Sequence, residues 1–123
     1  MATRLLLVDD DNMILQLFSL DAEQSDRGFE LVTARNGNEA ISLIDQETPH
    51  AIVLDLRMKQ GDGFSVLEHL KAKNHNVPVI VFTNYNVPEY REKCAKYGVT
   101  EYLIKSETRM GALMQKLADY AAA

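Results

Sequence analysis

Asp55 ends the apolar run Ala51-Ile52-Val53-Leu54, and Asp9, Asp10 and Asp11 end another, Leu5-Leu6-Leu7-Val8. Carboxylates that close two buried runs point to one edge of a parallel sheet. Crowded carboxylates repel one another; a hard divalent cation relieves that repulsion, and one carboxylate can serve as a nucleophile. Thr83 closes a third run, Val79-Ile80-Val81-Phe82, and Lys105 a fourth, Tyr102-Leu103-Ile104. Asp9, Asp10 and Asp55 with a hydroxyl and an ammonium suit phosphoryl transfer onto an aspartate. The carboxylate attacks phosphorus while a metal and the lysine neutralise the equatorial oxygens. Asp11 reads as a helix cap, and Asp62, between Gly61 and Gly63, as a turn residue.

The elements that must position these groups alternate. Arg4 to Val8 is a short continuous apolar run, as expected of a strand covered on both faces. Asp11 or Asn12 caps a helix whose inward stripe is Ile14, Leu17 and Phe18, with Met13 and Leu20 at its margins. Phe29 to Ala34 is a second strand. Asn36 and Glu39 have capping-box spacing, opening a helix that buries Ala40, Ile41 and Ile44. The third strand is Ala51 to Asp55. A helix burying Phe64, Leu67 and Leu70 follows, and Pro78 introduces the fourth strand. Pro88 starts a helix that Gly98 closes, with Tyr90, Cys94 and Tyr97 on one side. The fifth strand is Tyr102 to Ile104. Ser106 is the expected cap of a last helix with the stripe Met110, Leu113, Met114 and Leu117. Five strands alternating with five helices imply an α/β fold: a doubly wound, five-stranded parallel sheet with helices on both faces. Right-handed crossovers bring the carboxyl ends of the strands to one rim.

The 123 residues correspond to one domain, 1–123, large enough to bury a core. With 46% hydrophobic and 25% charged residues, the composition is that of a soluble globular protein. A net charge of −5 argues against nucleic acid as a direct ligand, since phosphate backbones need a basic footprint. A single cysteine, Cys94, has no internal disulfide partner, and no apolar stretch reaches membrane-spanning length. The expectation is a cytoplasmic protein without membrane contact. His50, His69 and His75 share no spacing and receive no chemical role.

In order and spacing, the acidic pair after strand one, the Asp after strand three with Gly61-Asp62-Gly63, the strand-four Thr and the strand-five Lys resemble the receiver domains of bacterial response regulators. The resemblance covers essentially the whole chain and implies a flavodoxin-like sheet with strand order 2-1-3-4-5. It implies a phosphorylation-dependent switch in a two-component phosphorelay, taking a phosphoryl group from a sensor histidine kinase or a histidine phosphotransfer protein. Asp55 would be the phosphoacceptor. Asp10 would ligate Mg2+ directly and Asp9 through water, with Asp55 and the Arg57 backbone carbonyl completing the protein's share. Thr83 and Lys105 would bind phosphoryl oxygens, and Tyr102 would be the aromatic switch residue that turns inward when the threonine moves. Lys59, Asn84 and Ser106 depart from the usual proline, small residue and proline at their positions. Arg57 and Asn84 flank Asp55 and Thr83 and are expected to tune the phosphoryl lifetime.

Other classes remain open at this stage. A haloacid-dehalogenase-type phosphatase also uses a strand-end Asp, Thr, Lys and magnesium, but needs a second aspartate two residues after the nucleophile, where this chain has Arg57. A receiver-like module acting by contact without phosphorylation is the main alternative. A flavodoxin is disfavoured by the acidic loop after strand one. On this reading the domain is not an enzyme beyond its own phosphorylation and dephosphorylation. The downstream target is not legible, nor is whether the domain stands alone or belongs to a longer protein.

Overall fold

A computed structural model describes residues 3–24, 27–58 and 62–122. The Lys59 and Gly61 positions noted above lie outside these described residues. The chain order is β1 (Thr3–Val8), α1 (Asn12–Gln24), β2 (Phe29–Ala34), α2 (Gly37–Gln46), β3 (Ala51–Leu54), α3 (Gly63–Ala72), β4 (Val79–Thr83), α4 (Pro88–Lys96), β5 (Glu101–Ile104) and α5 (Met110–Ala122). The strands form one parallel sheet in the order β2-β1-β3-β4-β5. Every residue of β3 and β4 is buried, which explains their unbroken apolar sequence: helices cover both faces.

Side chains alternate across each strand, so the strands feed two cores. Leu6, Val8, Ile52, Leu54 and Val81 pack with Ala40 and Ile44 of α2, Phe64, Leu67 and Leu70 of α3, and Cys94 of α4. Leu5, Leu7, Val53, Ile80 and Phe82 pack with Phe18 of α1 and with Leu113, Met114 and Leu117 of α5. Burial pushes the Cys94 thiol up to about 11, which suits packing rather than reactivity. Register then aligns the strand ends: Val8 pairs with Leu54, and Thr83 with Ile104.

Two expectations need correction. On α1 the inward residues are Ile14, Leu15 and Phe18, whereas Leu17 is 43% exposed beside exposed Met13 and Leu20. Nearly every position from 13 to 20 is apolar or small, so several stripes fit a 3.6-residue period; packing against β2 and α5 selects the one through Leu15. Ser106 does not cap the last helix. Lys105–Glu107 folds as a 3-10 turn, and α5 begins only at Met110. The other caps behave as expected. Asp11 accepts from the Met13 amide at 2.9 Å and Asn36 from the Glu39 amide at 2.8 Å. Asp62, expected as a turn residue, is the N-cap of α3 and accepts from the Ser65 amide at 3.2 Å. The φ of +75° at Gly98 ends α4 in the left-handed conformation.

The Asp62 cap matters for the rim. It starts α3 hard against the chain leaving β3, where the Gly63 amide donates to the Leu56 carbonyl at 3.0 Å. A Cβ on Gly63 would collide with the Asp55 carbonyl oxygen and stand 3.0 Å from the Leu56 Cα. Glycine is what lets α3 close under Asp55. Far from this rim, His69 pairs with Asp45 at 2.8 Å to join α3 to α2, and His50 accepts from the Arg4 amide at 2.9 Å. Both are structural contacts. Among the described residues no helix is long and apolar enough to cross a membrane.

Candidate functional site

β1, β3, β4 and β5 end together: β1 delivers Asp9 and Asp10 to the rim, and β3, β4 and β5 deliver Asp55, Thr83 and Lys105. Hydrogen bonds lock the delivery: the Asp9 amide donates to the Ala34 carbonyl and the Asp55 amide to the Val8 carbonyl. Among the described residues, Asp9, Asp10 and Asp55 form a cluster in which one oxygen from each lies within 4.8 Å of the others. Asp9 and Asp55 are buried, and Asp10 is half-buried. Thr83 is wholly buried.

Lys105 reaches across from β5 into this cluster. Its Nζ lies 2.7 Å from Asp9 Oδ2 and 3.1 Å from Asp55 Oδ2. The lysine therefore bridges two carboxylates that would otherwise repel each other. Asp9 also accepts from the Asp11 amide at 2.9 Å, and Asp55 Oδ1 from the Arg57 amide at 3.4 Å. Burial drives the Asp9 carboxyl above its ordinary value, against the pull of Lys105 and the Asp11 amide. Lys105 is raised too: burial opposes its charge, but its bonds to Asp9 and Asp55 and the fields of both carboxylates outweigh that. The Lys105 ammonium meets two carboxylates, whereas Asp9 shares a single ammonium. A lysine raised on folding stabilises the protein at every pH below its ordinary value and loses that only as pH climbs through the folded one.

The donor set fits a hard cation. Three carboxylate oxygens converge with no sulfur or imidazole among them, the choice that selects magnesium-like ions over soft metals.

On the α4 side, Thr83 Oγ1 accepts from the Tyr85 amide at 3.4 Å. Tyr102 lies under Arg91, whose Cζ is 4.5 Å from the ring centroid, and its hydroxyl donates to the Tyr85 carbonyl. Burial pushes the Tyr102 hydroxyl up to about 12, so it remains a donor throughout the neutral range. Arg57 NH1 donates to the Tyr90 hydroxyl at 2.8 Å, and its Cζ lies 4.8 Å from the Tyr85 ring centroid. Asn84 is exposed. The residue that covers Arg57 is thus Tyr85, one position further on, with Tyr90. The sequence reading missed both; the one available signal was that Tyr85, like Arg57, stands two residues beyond a strand-end site residue.

Comparison with known proteins agrees with this geometry. The family model described as response regulator receiver domain matches residues 5–118. The transcriptional regulatory protein PrrA of Mycobacterium tuberculosis is 38% identical over 102 residues, 83% of this chain and 43% of PrrA. The chain thus spans less than half the length of that relative. The receiver domain of the Francisella response regulator 1452 superposes with a TM-score of 0.86 at 29% identity, covering 98% of this chain and 97% of its own. The receiver domain of the sensor histidine kinase PA1611 from Pseudomonas aeruginosa, solved with a magnesium ion in its active site cleft, gives 0.84 at 22% identity with full coverage of both. At that identity the likeness concerns the fold alone.

Proposed function

Because the chain belongs to the response regulator receiver domain family, whose members are phosphorylation-dependent signalling switches, we propose that residues 1–123 act as one receiver domain with Asp55 as its phosphoacceptor. The observation that carries this is the bridge from Lys105 to Asp55 inside a three-carboxylate cluster. It supports the reading because a carboxylate able to act as a nucleophile meets an ammonium able to offset phosphoryl charge. Asp9, Asp10, Asp55 and the Arg57 backbone carbonyl would hold Mg2+, which supplies charge neutralisation at the transferring phosphoryl group.

The residues then divide the work. An Asp55 oxygen attacks the phosphorus of a phosphohistidine, the P–N bond breaks, and the imidazole leaves. Lys105 trades its hold on the Asp55 carboxylate for a phosphoryl oxygen, as charge moves outward onto the new group. The Thr83 hydroxyl donates to another. The donor is a sensor histidine kinase or a histidine phosphotransfer protein, and the compartment is the cytoplasm. The domain catalyses only its own phosphorylation and dephosphorylation. A haloacid-dehalogenase-type phosphatase would need a general acid at Arg57. Its guanidinium, held by the Tyr90 hydroxyl and Tyr85, is raised still further from titration. Arg57, with Asn84 beside Thr83, is the proposed tuner of lifetime.

Labelling with acetyl phosphate tests the proposal against a module that signals by contact alone. Stable, base-labile phosphorylation should depend on Mg2+ and vanish with chelator; no labelling in either condition favours the contact module. The switch is expected to run from Thr83 to Tyr102. Drawing the hydroxyl toward the phosphoryl group vacates space for the Tyr102 ring, which must first leave the Tyr85 carbonyl and Arg91. The face formed by α4 and α5 is the proposed partner surface. Amide exchange around Thr83 and Tyr102 should change on addition of a phosphomimetic such as beryllofluoride, and unaltered protection there would contradict this route.

A further inference from the structure

The end of the sheet opposite the acidic rim holds a cleft that the phosphoryl chemistry does not use. α3 and α4 cover the same face of the sheet and finish on either side of the start of β4, leaving a space of about 430 Å3 between them. Small-molecule sites occupy roughly 300–1,000 Å3. Buried Leu67, Leu70 and Val79 give it an apolar lining, together with Pro78 and the Tyr97 ring. Two left-handed turns shape it: Asn74, at φ +56°, and Gly98, at φ +75°, take the chain out of α3 and α4. Amides beyond each helix satisfy its last carbonyls. His75 donates to Leu70 at 3.0 Å, and Val99 to Cys94 at 3.3 Å. The last-turn lysines, Lys71 and Lys96, are therefore not needed as caps. Both line the cleft, and neither forms an ion pair with a carboxylate among the described residues. Among those residues no carboxylate lines the cleft at all, in a chain whose net charge is −5. Tyr97 is held in place: its hydroxyl donates to Glu68 Oε1 at 3.3 Å, and Lys71 Nζ lies 5.6 Å from its ring centroid.

We propose that this cleft binds a small molecule joining a flat apolar ring to an anionic group, the chemistry of a nucleoside monophosphate. Lys71 and Lys96 take the anion, one from each helix. The ring lies against Leu67, Leu70 and Tyr97, and Asn74, Asn76 and Thr100 supply donors and acceptors for its edge. An inorganic anion alone would leave the apolar lining wet, and an uncharged ring would leave both ammoniums without a counter-charge. The two halves of the cleft together select the class. β4 begins in this cleft at Val79 and ends at the rim at Thr83, so the two sites lie roughly 13 Å apart along one strand. The site stands independently of Asp55, whether or not that residue accepts a phosphoryl group.

The test titrates adenosine monophosphate into the full chain in the presence of chelator, so that no magnesium draws phosphate to the acidic rim. Amide chemical shifts should move at 70–79 and 96–100 and stay fixed at 9–11 and 55, with a Kd below about 1 mM. Lys71→Gln and Lys96→Gln should each weaken binding about fivefold. Lys116→Gln, on α5, should leave it within about twofold, because exposed charges that far apart are screened. Adenosine and inorganic phosphate should each bind at least about tenfold more weakly than the nucleotide. An absence of shift changes up to roughly 10 mM, or changes centred on the acidic rim, overturns the proposal. So does equal binding of adenosine or of inorganic phosphate, which would leave half of the cleft without a role. Unchanged affinity in the Lys71→Gln, Lys96→Gln double variant overturns it as well.

Discussion

Replacing Asp55 by asparagine should abolish base-labile phosphorylation, while Asp62→Asn should leave it intact. Both aspartates lie in the short stretch between β3 and α3, and both accept a backbone hydrogen bond, so sequence position alone does not separate them. Their surroundings do. Asp55 is 6% exposed, faces Lys105 at 3.1 Å and shares a cluster with Asp9 and Asp10. Asp62 is exposed and spends its carboxylate capping α3. Asparagine keeps the size and one carbonyl oxygen of Asp55 but lacks the anionic oxygen that would attack phosphorus. Label counted after gel filtration should fall to background for Asp55→Asn and remain within about twofold of wild type for Asp62→Asn; equal labelling of the Asp55 variant would place the nucleophile elsewhere.

Asp10→Asn pulls two properties in opposite directions. Asp9, Asp10 and Asp55 crowd one rim, and Lys105 bridges Asp9 and Asp55 by close ion pairs. Removing the Asp10 charge relieves repulsion, of order 1 kcal/mol for a half-solvated carboxylate at these separations. For a chain of this size that corresponds to roughly 3–6 °C in Tm near neutral pH without added metal. The same substitution deletes a charged ligand, and Mg2+ affinity should fall at least about tenfold. Thermal melts with chelator and a magnesium titration read both quantities. A variant of lower stability in chelator with unchanged magnesium affinity would contradict a shared site.

The legible parts were those with a one-dimensional signature. A strand covered on both faces must be continuously apolar, so β1, β3 and β4 stand out, and the polar residue that stops each run marks the rim. That logic reaches Asp9, Asp55 and Thr83 without coordinates, and Lys105 is found by the shorter apolar run of β5 that it closes. It fails where several patterns coexist, as on α1, where Leu17 and Leu15 compete for the inward position and only tertiary packing decides. It fails again after β5, because Ser106 has the chemistry of a helix cap but the chain first makes a 3-10 turn. The Lys105 bridge to Asp9 spans 96 positions, and the Arg57–Tyr90 bond spans 33. Neither distance is encoded locally. Asn84 drew attention because it adjoins Thr83, yet the pleat and the turn bring Tyr85, not Asn84, onto Arg57.

Borohydride trapping tests the central claim most directly. Reduction of an aspartyl phosphate converts that one side chain to homoserine, which peptide mass analysis locates residue by residue. Protein labelled with acetyl phosphate and Mg2+ and then reduced should carry homoserine at position 55 and nowhere else, with Asp9, Asp10 and Asp62 unchanged. Homoserine at one of those three positions, or a fully labelled protein with Asp55 intact, would contradict the account.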